Sequence, residues 1–149
     1  MNINEFMNRY EIKTKKSVVR WLNENYIDGA IFNNNEWVIP NSARLPYTRI
    51  KNKSHLNANK LRAYIVKSSI SRLHINCHIL GISENEFNMM IQDLVNHNLI
   101  QIRREDGINY YDSTVKSNEI FTRNFAKFTK IITEIVTIGI NVMASVLQN

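Results

Sequence analysis

The sequence predicts a mainly α-helical protein with short β-hairpins, organised as two small modules and a C-terminal helix. Three observations carry that expectation. Apolar residues recur at helical spacing through successive segments separated by polar turns. Two stretches, 30–39 and 98–111, instead place short apolar runs on either side of turn-forming residues. From Phe121 onward the apolar residues form one continuous stripe.

In chain order, Ile3, Phe6, Met7, Tyr10 and Ile12 define a short first helix ending near Glu11. Thr14 stands as the N-cap of a second helix, in which Val18, Trp21 and Leu22 repeat at i, i+3 and i+4. That spacing turns Val18, Trp21 and Leu22 inward and leaves Lys15, Lys16 and Arg20 outward, with Ser17 and Asn23 at the margin. Trp21 and Trp37 are both expected in the core. Asp28-Gly29 reads as a turn, and Ala30 to Ile39 as two short strands around Asn33-Asn34-Asn35, because Asn tolerates the left-handed backbone of a tight hairpin.

Leu45-Pro46-Tyr47 and the polar run 51–59 suggest a linker. Helical spacing resumes at Leu61, Tyr64, Ile65 and Val66. A short helix is expected from Leu73 to Leu80, stopped at Gly81. Ser83 with Glu86 three residues later forms a capping box for the helix that carries Phe87, Met90, Ile91, Leu94 and Val95. Residues 98–111 then predict a hairpin with its turn at Glu105-Asp106-Gly107. In the tail, Phe121, Phe125, Phe128, Ile132, Ile135, Val142 and Val146 fall at heptad-like steps, and a second apolar set widens the stripe. A stripe of that width must be covered. The expected cover is a second copy of the chain, a dimer being favoured, with packing within the same chain as the alternative; in the dimer, residues 1–114 would be a soluble monomer alone. A membrane is disfavoured, because the apolar run is shorter than the ~20 residues that span a bilayer and contains Glu134 and Asn141.

The chain has 19 basic and 13 acidic residues, for a net charge of +6. Their placement says more than the total. Residues 1–72 hold thirteen basic against five acidic residues, whereas residues 73–115 hold two against six. The stretch from Arg44 to Arg72 has no acidic residue, and such a run repels itself unless a polyanion is near. Arg44, Arg49, Lys51 and Lys53 are therefore expected on phosphates. Cys77 is the only cysteine, which excludes an internal disulfide and suits a reducing compartment. The N-terminal residues have neither a basic n-region nor an apolar h-region, so a cytoplasmic location is expected. The excess of Asn, Ile and Lys over Gly and Pro is what A/T-rich coding produces, as in a low-GC bacterium, its phages or its plasmids.

Tyr26-Ile27-Asp28-Gly29-Ala30, then six residues, then Trp37-Val38-Ile39-Pro40-Asn41-Ser42-Ala43 resembles the wing of excisionase-type helix-turn-helix proteins in the mercury-resistance (MerR) regulator superfamily. The resemblance covers residues 1–48. It implies a winged helix-turn-helix fold with one helix in the major groove of double-stranded DNA and the hairpin along the flanking backbone or minor groove. Lys15, Lys16, Ser17 and Arg20 would then face bases and phosphates, and Asn33, Asn34 and Asn35 would lie along the backbone. The turn Ile12-Lys13-Thr14 departs from the Gly-Val-Ser wording common in the family. Leu80-Gly81-Ile82-Ser83, a helix and then Asn98-Leu99-Ile100 before a hairpin again look like a winged helix-turn-helix. Glu84, Glu86 and Asp93 on that second helix favour a structural or protein-facing role for it.

The domain expectation is therefore 1–48 as the first module, 49–58 as a basic linker, 59–114 as the second module and 115–149 as an oligomerisation helix. His74, His78 and His97 are too scattered for a metal site, and no Gly-rich phosphate loop, nucleophile elbow or zincin motif is found. No cofactor and no enzymatic activity are expected. The expected role is a transcriptional regulator or excisionase-like accessory factor of a phage, plasmid or other mobile element. The alternatives are a protein-interaction module such as a phage-encoded inhibitor, or an assembly or replication subunit.

Overall fold

A computed structural model describes residues 1–48, 50, 56–121 and 124–148, with side chains through residue 137. Among these residues the chain forms seven helices and two antiparallel hairpins.

The first module comprises α1 (Ile3–Arg9), α2 (Lys15–Asn23), β1 (Ile31–Asn33) and β2 (Glu36–Val38). Asn2 and Glu5 close a reciprocal capping box on α1, so two of the amides left open at a helix start are satisfied by side chains. Glu11 adopts a left-handed backbone (φ 54°) that turns the chain into α2. Thr14 occupies the N-cap position, although its side chain makes no capping hydrogen bond. Phe6, Val18, Leu22, Ile27, Ile39 and Ala43 form the core. Trp21 and Trp37 are only half-buried at its edge, and of the paired strand residues only Trp37 packs on the core.

The second module comprises α3 (Ala58–Ile70), α4 (Cys77–Leu80), α5 (Glu84–Asn96), β3 (Ile100–Glu105) and β4 (Ile108–Ser113). Asn57, Asn76 and Ser83 each accept a backbone amide at the start of a helix, at 2.8, 2.9 and 3.1 Å. The helix expected from Leu73 is shorter than its apolar pattern suggests. Arg72 enters the left-handed region (φ 58°), and His74 pairs in parallel with Pro46 through two backbone bonds of 2.7 and 2.8 Å. Helix therefore begins only at Cys77. The β3–β4 turn uses Asp106 (φ 55°) and Gly107 (φ 75°), the left-handed pair a two-residue hairpin requires.

The tail is broken where a single helix is expected. Thr114 and Ser117 cap a short α6 (Val115–Ile120), and α7 (Phe125–Gln148) follows, with Asn124 accepting the Ala126 amide at 3.1 Å. Over its described length, part of the heptad seam is covered by the chain itself. Phe128, Ile132 and Val136 are fully buried in the core of the same chain, where α7 packs along α3, and Phe125 and Ile135 are packed against that core. Each such side chain is worth about 1.5–3 kcal/mol when buried, so lifting α7 off to meet a second copy would forfeit several kcal/mol. Phe121 lies outside both helices and is 37% exposed. The Val142 and Val146 side chains lie outside the described residues. Among those residues, no helix is long and apolar enough to cross a membrane.

Candidate nucleic-acid interface

Helix α2 has two chemically distinct sides. Val18 and Leu22 are buried beneath it, while Lys15, Lys16 and Arg20 are exposed and Ser17 is half-buried. No acidic residue falls between Ile12 and Asn23, so this side presents cations without compensation from its own helix. The helix stops at Asn25 (φ 61°), and the Tyr26 amide returns to the Trp21 carbonyl at 2.8 Å, the reverse turn that satisfies open carbonyls at a helix end.

The hairpin turn is made by Asn34 (φ 51°) and Asn35 (φ 60°), closed by Asn33 opposite Glu36. Both central residues need positive φ, and Asn supplies it at lower cost than other L-residues with a β-carbon. Asn33, Asn34 and Asn35 are all exposed. A cleft of about 240 Å³ is lined by Lys15 from α2 and by Asn35, Glu36 and Trp37 from the hairpin. The start of α2 and the hairpin turn therefore share one surface.

The basic run after this module is used differently. Arg44 is half-buried, pairs with Asp112 at 3.2 Å and lies 5.3 Å from the centroid of the Tyr110 ring. Arg103 holds the other oxygen of Asp112 at 2.9 Å and approaches the same ring at 5.1 Å. Arg62 pairs with Asp93 at 2.7 Å, and Lys67 sits 4.8 Å over the Phe125 ring. The carboxylates missing from the run in sequence thus arrive from β4 and α5. Arg44, expected on a phosphate, is a strut between the modules. Arg49, Lys51 and Lys53 lie outside the described residues.

A polar seam joins the modules, and its members escaped the sequence reading. His74, buried, meets Asp28 through Nε2 and Oδ2 at 2.8 Å. The Asn76 amide donates to the other Asp28 oxygen and to the Asn25 carbonyl, each at 2.9 Å. Burial pushes the Asp28 carboxyl up, but the hydrogen bond and charge of His74 and the Asn76 amide outweigh it and hold the group below its usual value. Tyr110 donates to Ser42 at 3.1 Å, and Tyr111 is pushed up to about 12, chiefly by burial. Gly29 (φ 78°) lies so close that a Cβ there would fall 2.5 Å from Ile108 Cδ1. Asp28 and His74 are 46 positions apart, and no local pattern links them.

The second module offers no matching cationic face. On α5, Asn85, Asn88, Met89, Gln92 and Asn96 are exposed and uncharged, and Glu84 and Glu86 are exposed at its start. A cleft of about 510 Å³ beside it is lined by Asp28, Glu84 and Asp106, a poor lining for a phosphate backbone. Among the described residues, no group of His, Cys, Asp and Glu could hold a metal ion. No family model matches the chain, and none of the curated proteins matches it.

Proposed function

We propose that this chain is a sequence-specific binder of double-stranded DNA, acting as a transcriptional regulator or excisionase-like accessory factor of a mobile element. In this reading both modules are winged helix-turn-helix units. α2 with the β1–β2 wing is the reading head. The observation that carries the proposal is the exposed cations of α2: Lys16 and Arg20 lie opposite its buried stripe, and Lys15 at its start lines the cleft shared with the hairpin turn. Phosphate neutralisation is the most direct use of such a face, and side chains at a helix start reach base edges once the helix enters a groove.

The test is a fluorescence titration of labelled duplexes at two salt concentrations. Wild-type affinity should fall steeply with salt, and each of Lys15→Ala, Lys16→Ala and Arg20→Ala should reduce the slope by about one unit. Equal affinity and slope for the triple variant would defeat the reading. A second reading, in which the fold serves a protein partner, draws on one observation: α5 exposes Met89 at 70% on a face without cations. It predicts no salt-dependent DNA binding at all.

A further inference from the structure

The larger cleft, about 510 Å³, opens where the two modules meet. Asp28 and Gly29 of the first module form one wall, and the starts of α4 and α5 and the β3–β4 turn form the others. Its volume falls in the ~300–1,000 Å³ range of small-molecule sites. Phe87 and Tyr111 stand edge to face in its lining at 5.6 Å, and the Tyr111 hydroxyl makes no hydrogen bond among the described residues. Asp28, Glu84 and Asp106 bring carboxylates to it from three separate segments, and among the described residues no Lys or Arg lines it.

The missing counter-charge is local. Elsewhere in residues 73–115, Asp93, Glu105 and Asp112 are each paired with an arginine. Glu84, Glu86 and Asp106 pair with none among the described residues, and two of those three line the cleft. Asp28 titrates below its ordinary value, burial being outweighed by His74 and Asn76, so it is a carboxylate at neutral pH. Burial pushes the Cys77 thiol up, and the charges of Asp28 and then Glu84 push it the same way, so both carboxylates act on one spot. Among the described residues, no group of His, Cys, Asp and Glu could hold a metal ion, which leaves an organic cation as the complement. Aromatic rings suit one, because they attract ammonium charge on their faces and cover methylene groups.

We propose that this cleft binds a linear oligoamine, its ammonium groups separated by methylene chains, which bridges the two modules whether or not DNA is bound. A compact cation at one carboxylate would leave those on the other walls unmet. In an oligoamine, one ammonium meets Asp28 of the first module and others meet Glu84 and Asp106 of the second, while methylenes lie against Phe87, Tyr111 and Ile108. A ligand held from both sides of the seam stabilises the docked arrangement of the modules.

The experiment titrates full-length protein, without DNA, by calorimetry. Spermidine should bind with one-to-one stoichiometry, and butylamine on the order of tenfold more weakly, because it engages one carboxylate at a time. Glu84→Gln/Asp106→Asn should weaken spermidine by about two- to fivefold per carboxylate, whereas Glu86→Gln, exposed on α5 but outside the cleft, should leave it unchanged. Both cleft substitutions keep the shape of the side chain, and Asn tolerates the positive φ at position 106. Saturating spermidine should also slow amide exchange in α1 and α2 together with α5. No spermidine binding, equal affinity for butylamine, or an equal loss in Glu86→Gln and the double variant overturns the site. Slower exchange confined to the second module overturns the bridge. Tighter binding of an amidated Lys-Gly-Lys peptide of the same charge overturns the oligoamine in favour of a basic protein segment.

Discussion

Among the described residues, the first module closes over six buried apolar side chains, from Phe6 to Ala43, whereas the second closes over seventeen, three of them supplied by α7. The exposed cations of α2 belong to the smaller unit and the neutral face of α5 to the larger. A core of six side chains in under 50 residues is marginal alone. The small module is held instead by the seam, in which Asp28, Ser42 and Arg44 meet His74, Asn76, Tyr110 and Asp112. The contrast assigns stability to one region and the charged surface to the other.

The largest effect should come from the tail, where the comparison is most easily broken. Phe128→Ala should cost about 3–5 kcal/mol by urea denaturation, as removal of a fully buried aromatic does. A chain ending at Thr114 should lose the cooperative transition rather than form a soluble monomer, because Phe128, Ile132 and Val136 leave the core together. A 1–114 fragment as stable as the whole chain would show that α7 is dispensable.

Next comes the seam. Gly29→Ala combines a left-handed backbone with contacts that force the Ile108 and Pro40 side chains to shift, and should cost about 1–3 kcal/mol. The loss should be regional: amide exchange should accelerate in α1 and α2 while α3 and α5 stay protected. Uniform acceleration would mean that the two modules unfold as one unit.

The seam also predicts an acid limb. Asp28 titrates below its ordinary value of 3.8 in the folded chain, so its contribution is complete above that value. The contribution declines as pH drops below 3.8 and is gone once pH has passed through the lower folded value. Asp28→Asn should lower stability at neutral pH and flatten that part of the acid limb, read from urea midpoints between about pH 2 and 5. An unchanged limb would assign the acid sensitivity to other carboxylates.

The smallest effect sharpens the contrast between the two helices. Asn88→Ala and Gln92→Ala on α5 should change stability by no more than about 0.5 kcal/mol and leave DNA affinity unchanged, whereas Arg20→Ala on α2 should reduce the salt slope. A drop in affinity from the α5 variants would make that helix a second reading head.

Local signals were legible wherever the cause is local. Asn34-Asn35 and Asp106-Gly107 fix their turns because few residues accept positive φ, and the 3.6-residue repeat fixes which side of α2 carries Val18 and Leu22 and which carries Lys15, Lys16 and Arg20. The same repeat shows that Phe128, Ile132 and Val136 share a side of α7 but not what covers them, and α3 of the same chain does. The extended backbone at His74 is equally invisible locally, since its partner Pro46 lies across the fold. Charge behaves alike. A run without acids looks self-repelling along the chain, yet Arg44 finds Asp112 68 positions away and Arg62 finds Asp93 31 away. Sequence thus determined turns, helix faces and the cations of α2, because these depend on neighbours within a turn or two. Only the tertiary structure decided which apolar stripe closes the core and which cations are spent in ion pairs, because a side chain's solvent and counter-ion are set by whatever distant residue folding brings within a few ångströms.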